Sequence, residues 1–256
     1  MNVIVFDTET IGIISQDLIN VGYKIIDINI QQANYKTLIQ RDYIVANLYN
    51  NVIYCMNDAF VGAKKYGLFE KALKEKTAVK RSLPQIFTTL ENDLKRYKVL
   101  FGYAYNCNFD IDKFVKSAEK YQINNPIENL PVFDIWSYAY AFICDTEEYK
   151  QWAKDNNVLT ETEKYISTSV ESVCKYLYNN LEFAEDHTAL SDVQHETNIL
   201  IECIRRGCDI TRPMNRAKYI ASDRVFSKTI ILPDGEVVQF EYTKDYTRGD
   251  RVIYKM

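Results

Sequence analysis

The sequence predicts an α/β protein: a mixed five-stranded sheet, its first three strands antiparallel, flanked by helices and followed by a small β-rich appendage. Three observations lead there. Three strand-like segments open the chain with short links between them, which favours an antiparallel meander. Strand and helix patterns then alternate up to about residue 206. Past Thr211 the texture changes to short alternating strands around a Pro-Asp-Gly turn.

The first segment is Val3-Ile4-Val5-Phe6, a short β-branched apolar run of the kind that forms a buried central strand. It runs into Asp7-Thr8-Glu9-Thr10. Side chains two apart on a strand share a face, so Asp7 and Glu9 should sit side by side at its end. Residues 17–28 and 35–46 read as two further strands, with a polar hairpin loop at 29–34. Residues 47–81 read as an irregular helical insertion, because Leu73 and Val79 are poorly spaced for an amphipathic helix. Ser82 then caps a helix, with Gln85 completing a capping box and Pro84 tolerated in the first turn. Ile86, Phe87, Leu90, Leu94 and Tyr97 follow at helical spacing. A strand at 99–103 ends in Asn106-Cys107-Asn108-Phe109-Asp110, which opens the next helix. A short strand at 131–134 enters an aromatic helix at 136–142, and a short helix is expected at 149–153. Val170, Val173, Cys174 and Leu177 mark another helix. Glu185 to Asp192 lead into a helix with Ile199, Leu200, Cys203 and Ile204 on its buried stripe, ended by Gly207. The domain reading is 1–209 as one unit, with an insertion at about 47–81, and 210–256 as a hairpin appendage.

Composition narrows the possibilities. The chain has 256 residues, 47% of them apolar and 26% charged, enough for a substantial core. Formal net charge is −4, so bulk charge gives no sign of nucleic-acid binding. Residues 205–256 are mildly basic, with 11 Lys/Arg against 7 Asp/Glu, and the rest is acidic, with 20 against 28. Such a tail could touch phosphates or form a solvated surface, and so could Lys71, Lys74, Lys76, Lys80 and Arg81. Six cysteines show no Cys-x-x-Cys spacing, and two histidines are too few for a zinc finger. No leader-like stretch precedes the first strand, and no apolar run approaches the ~18 residues of a membrane span. The expectation is an intracellular, cytoplasmic protein with reduced thiols and no membrane partner. Twenty Tyr and many Asn, Ile and Lys fit the coding bias of an AT-rich genome, as in some bacteria and phages.

Three motifs carry chemistry. Asp7-x-Glu9 places two carboxylates together, which repel unless a proton or cation lies between them. Hard divalent cations take such oxygen ligands, at roughly 2.0–2.1 Å for Mg²⁺. Asn106-x-x-Phe109-Asp110 and His187-x₄-Asp192 each stand at the mouth of a predicted helix. Singly, Asp110 or Asp192 could be a helix N-terminal charge, and His187 a surface residue. Together they stand in a set order along the chain.

In that order the motifs resemble the DEDD-type 3′→5′ exonucleases of the ribonuclease-H-like fold, in their histidine (DEDDh) subclass, which includes proofreading exonucleases and oligoribonucleases. The resemblance covers roughly residues 1–206. It implies a phosphodiester hydrolase using two divalent cations, Mg²⁺ or Mn²⁺, about 3.5–4 Å apart. Asp7 would bridge both. Glu9 and Asp192 would hold the water-side cation, and Asp110 the other. His187 would be the general base. Thr8, Thr10 and Asn106 would meet the terminal nucleotide. Ile11 or Ile13 would wedge its base or be core. Tyr103 and Tyr105 could stack on a base. Asp134 is expected to be structural, and Asp186 and His195 to support the centre or face solvent. The implied partner is a single-stranded DNA or RNA 3′ end. RNA or short oligonucleotides alone, or a nucleic-acid-binding module of a replication complex, are the alternatives, with a homodimer or polymerase as possible partner. Because an imidazole ordinarily titrates near pH 6.5, activity should fall below pH ~6. A pH–rate profile lacking an acid limb would remove His187 from the base role.

Overall fold

The structure is a computed structural model that describes residues 1–10, 17–49, 62–160, 165–214, 225–231, 235, 237–245 and 251–255. Strands β1 (Asn2–Thr10), β2 (Leu18–Asn29) and β3 (Asn34–Val45) form the expected antiparallel meander. β5 (Phe101–Ala104) pairs parallel to β1, and β6 (Val132–Asp134) parallel to β5. The sheet has six strands, not five, in the order β4-β3-β2-β1-β5-β6. The added one, β4 (Val79–Arg81), lies within the stretch read as irregular helix and pairs parallel to β3. All three of its residues are exposed, so it has no apolar alternation to reveal it. Edge strands need only one partner and one covered face. The rest of that stretch, so far as it is described, is helical: α1 (Ala46–Tyr49) and α2 (Gly62–Lys74).

Helices cover both faces. Ile4 and Phe6 of β1 pack with Ile86, Phe87 and Leu90 of α3 (Leu83–Arg96) and Phe114 of α4 (Asn108–Tyr121). Val3 and Val5 point the other way. They join a core built by α5 (Ile135–Ala139), α6 (Glu147–Asp155), α7 (Val170–Leu177) and α8 (Ala189–Arg205). A π-helical turn, Tyr140–Cys144, follows α5. The capping signals act as expected: the Ser82 N–H donates to Gln85 Oε1 at 3.1 Å, and Gly207 takes φ +90° after α8. In the C-terminal stretch β7 (Val225–Ile231) and β8 (Val237–Asp245) form the expected antiparallel pair, and β9 (Arg251–Lys255) adds a third strand. Pro233 and Asp234 of the predicted turn, the Ile11 and Ile13 wedge candidates and Cys55 lie outside the described residues. The other five cysteines are free and buried. Among the described residues no helix is long and apolar enough to cross a membrane.

The start of α8 is fixed against β2 by two devices. Asn20 is fully buried; its Oδ1 accepts the Ala189 N–H at 2.8 Å, supplying from another element a partner for an otherwise orphan helix donor. Its amide donates to Asp42 Oδ1 at 2.6 Å and the Tyr43 carbonyl at 3.0 Å. Two residues on, Gly22 lies under the backbone of α8. A Cβ there would stand 2.4 Å from both Ala189 C and Leu190 N. Neither backbone can yield without moving the helix. Gly22→Ala should therefore cost about 1–3 kcal/mol, as overpacking does, read as a lower midpoint in denaturant unfolding. An unchanged midpoint would mean that α8 is not seated this closely.

Candidate active site

Across the β1–β2 pair Asp7 stands opposite Gly22 and Glu9 opposite Asn20. Directly opposed residues share a face, so both acids point toward the start of α8. A register shift follows Glu9, ending the regular pairing at the site. Thr8 points to the other face and is buried. Both its N–H (2.9 Å) and its hydroxyl (2.7 Å) donate to Asp110 Oδ1, which ties the first turn of α4 to the end of β1. The Thr8 hydroxyl, expected at the substrate, is thus committed to orienting Asp110. Thr10 is half-buried at the strand end, and Asn106 is exposed in a left-handed turn (φ +57°). The Asn106 N–H donates to Asp134 Oδ1 at 2.8 Å, and the same oxygen caps α5 through the Trp136 N–H at 2.9 Å. Asp134 therefore holds the turn that carries Asn106.

His187 precedes α8, exposed and with φ +53°. This left-handed backbone is uncommon outside glycine, though histidine adopts it more readily than most side chains. Glu9, His187 and Asp192 each bring a ligand atom within 4.8 Å of the others. Asp110 and Asp192 join Asp7 and Glu9, and so does Glu196, one turn after Asp192 on the buried face of α8. Burial, then the charges of Asp110, Glu196, Glu9 and Asp192, push the Asp7 carboxyl well above the usual carboxylate range. Burial raises Asp110 to about 7 against the opposing hydrogen bonds from Thr8, and the Glu9 charge adds to the rise. Burial, then Asp110 and Asp192, push Glu196 well up, partly offset by the Tyr105 backbone. Glu185 is raised to about 7 by burial and the Glu171 charge, with a smaller contribution from Glu9.

Glu196 is the acid of this cluster that sequence reasoning missed. Its signal was present: Asp192-x₃-Glu196 puts a second acid on the buried stripe of a helix, where an apolar residue belongs. Other expectations are corrected. Tyr103 is fully buried and its hydroxyl donates to the Ile210 carbonyl at 2.7 Å, so it cannot stack on a base. Tyr105 stacks on Trp136, with ring centroids 6.5 Å apart. His195 is half-buried: its Nδ1 lies 3.0 Å from the Tyr178 hydroxyl and its ring is edge-on to Phe183.

The donor set fits hard divalent cations. It consists of carboxylate oxygens with one imidazole, the preference of Mg²⁺ and Mn²⁺ rather than of thiolate-seeking metals. Asp7 Oδ2 and Glu196 Oε2 are enclosed with no hydrogen-bond partner among the described residues. Buried carboxylate oxygens in that state take up a proton or sit against a cation.

The same carboxylates make stability depend on pH. Asp110 titrates near 3.8 when unfolded and about 7 when folded, and Glu185 near 4.5 and about 7. Between those values the native state holds more protons than the unfolded one, so stability is lost as pH rises through the window. With chelator present, the unfolding temperature should be higher at pH 5 than at pH 8, and Mn²⁺ should narrow the gap. A chelated protein that gains stability from pH 5 to pH 8 would contradict this packing of the acids.

No protein-family model and no curated protein sequence matches the chain. Solved structures do. The chain is similar to the nuclease domain of 3′hExo, a DEDDh family member, bound to rAMP, with TM-score 0.55 and 10% identity over 81% of this chain and 93% of that one. It is also similar to the 3′-exonuclease in a structure of 3′-end-specific recognition of a histone mRNA stem-loop, with TM-score 0.55 and 9% identity over 98% and 93%. At such identities the likeness is one of fold, and the fold is the ribonuclease-H-like one of DEDDh exonucleases.

Proposed function

We propose that the chain is a metal-dependent 3′→5′ exonuclease that hydrolyses phosphodiester bonds at single-stranded DNA or RNA 3′ ends. The observation that carries this reading is the meeting of Glu9, His187 and Asp192 within 4.8 Å of one another, with Asp7 and Asp110 in the same acidic cluster. Asp7, Glu9, Asp110 and Asp192 would hold two divalent cations. Bound there, such cations neutralise the phosphate in the transition state and make water nucleophilic near neutral pH. His187 accepts the proton of the attacking water, and its exposed position leaves the imidazole open to substrate. Thr8 acts through Asp110, holding that carboxylate in one orientation. Thr10 and Asn106 would meet the terminal nucleotide. We assign the chemistry to residues 1–209 and a partner-docking role, to a second copy or a polymerase, to residues 210–256.

RNA is the favoured alternative substrate, since the similar structures hold rAMP and recognise a histone mRNA stem-loop. A binding module without chemistry is disfavoured by the complete acid set.

End-labelled single-stranded DNA and RNA, with Mg²⁺ or Mn²⁺, test the reading. The wild type should give a ladder from the 3′ end. Asp7→Ala should abolish it. His187→Ala should slow it by about 10²–10⁴-fold, the usual weight of a general base. Binding without cleavage in both metals would turn the assignment to a binding module.

A further inference from the structure

Glu196 stands outside the motif positions and needs its own explanation. The other buried positions of α8 near it are filled as a helix core should be: Val193, Ile199, Leu200 and Cys203 are apolar. Thr197 turns its hydroxyl back to the Val193 carbonyl at 2.7 Å. Glu196 is only 2% exposed. The Tyr105 backbone nearby, just past the end of β5, favours the charged form of Glu196, while Oε2 has no partner among the described residues. The charged groups acting on it are Asp110, Asp192 and Glu185, all acidic. A buried carboxylate with one oxygen enclosed and unpartnered among other acids is arranged as a ligand would be.

The acids divide into two groups. Glu9, His187 and Asp192 form one, on the exposed side. Asp110 and Glu196, 1% and 2% exposed, lie deeper, and Asp7 stands with them, its Oδ2 enclosed and without a hydrogen-bond partner like Glu196 Oε2. Asp110 is pinned to β1 by Thr8.

We propose that Glu196 is a fifth carboxylate of the cation centre, its Oε2 serving, directly or through one water, the cation shared by Asp7 and Asp110. Opposite to it, Glu9 and Asp192 serve the cation beside His187. Glu196 is then a determinant of cation affinity at the deeper position and not a packing residue. The inference rests on the nuclease reading for what the cations do, but not for their binding.

The test is Mn²⁺ titration by calorimetry and by electron paramagnetic resonance of free Mn²⁺, near pH 7.5, without nucleic acid. Wild type is compared with Glu196→Gln, which keeps the shape and removes the charge. The wild type should bind two Mn²⁺. Glu196→Gln should keep one at wild-type affinity and weaken the other at least tenfold. Its unfolding temperature in chelator should be no lower than that of the wild type, because the amide fills the same space and brings no negative charge to the cluster. Should Glu196→Gln not fold, Glu196→Asp, which draws the carboxylate back by one methylene, should show the same selective weakening. Wild-type affinity at both positions in the variant would overturn the proposal and leave Glu196 as a neutral hydrogen-bonding group. A wild type that binds no Mn²⁺ would overturn it together with the cation part of the nuclease reading. Selective loss of one Mn²⁺ in a protein that cleaves no nucleic acid would uphold this inference and sink the nuclease reading alone.

Discussion

Confinement of like negative charge at the end of β1 is the constraint that the rest of this molecule answers to. Asp7, Glu9, Asp110, Asp192 and Glu196 come from three parts of the chain and are held within each other's field. Coulomb repulsion between them is strengthened by burial, since the interior screens charge less than water does. Left to itself such a cluster would pull its elements apart. The arrangement is steadied by neutral donors, the Thr8 N–H and hydroxyl on Asp110. A rigid apolar body lies behind those donors, with Val3 to Phe6 wholly enclosed between two helical layers. Function of this kind is bought by the surrounding core.

The topology makes the meeting possible. β1 and β5 run parallel, so their carboxyl ends emerge on one side of the sheet. Open α/β sheets present their ligand sites there. β1 delivers Asp7 and Glu9, and the turn after β5 delivers Asp110 at the first turn of α4. Only α8 must be brought from far along the chain. Asn20 and Gly22 of β2 do this, one by satisfying the Ala189 N–H and the other by having no side chain beneath the helix backbone. The cross-strand partners of the two β1 acids, Gly22 for Asp7 and Asn20 for Glu9, are therefore the residues that seat the helix carrying Asp192 and Glu196.

Much of this was legible beforehand. The meander, the capped α3, the helix opening at Asp110 and the hairpin at Ile231 and Val237 follow from local patterns that tertiary contacts leave intact. The strand β4 was not legible, because an exposed three-residue edge carries no alternation. Tyr103 looked like a stacking residue because a tyrosine at a strand end can face either way. Its hydroxyl turned out to close a hydrogen bond to Ile210, more than a hundred positions away. The aromatic partners of His195, Tyr178 and Phe183, were hidden for a similar reason, since they come from a different segment.

By itself the order of residues determined the kind of elements, the face that Asp7 and Glu9 share, and which acids and which histidine stand at element ends. These depend on periodicity and capping, which act over a few neighbours. Only the tertiary structure decided that Thr8 serves Asp110, that Asn20 seats α8, and that Glu196 lies among the acids. Each of these is a contact between segments far apart in the chain, and its existence depends on how helices and sheet pack rather than on any local preference.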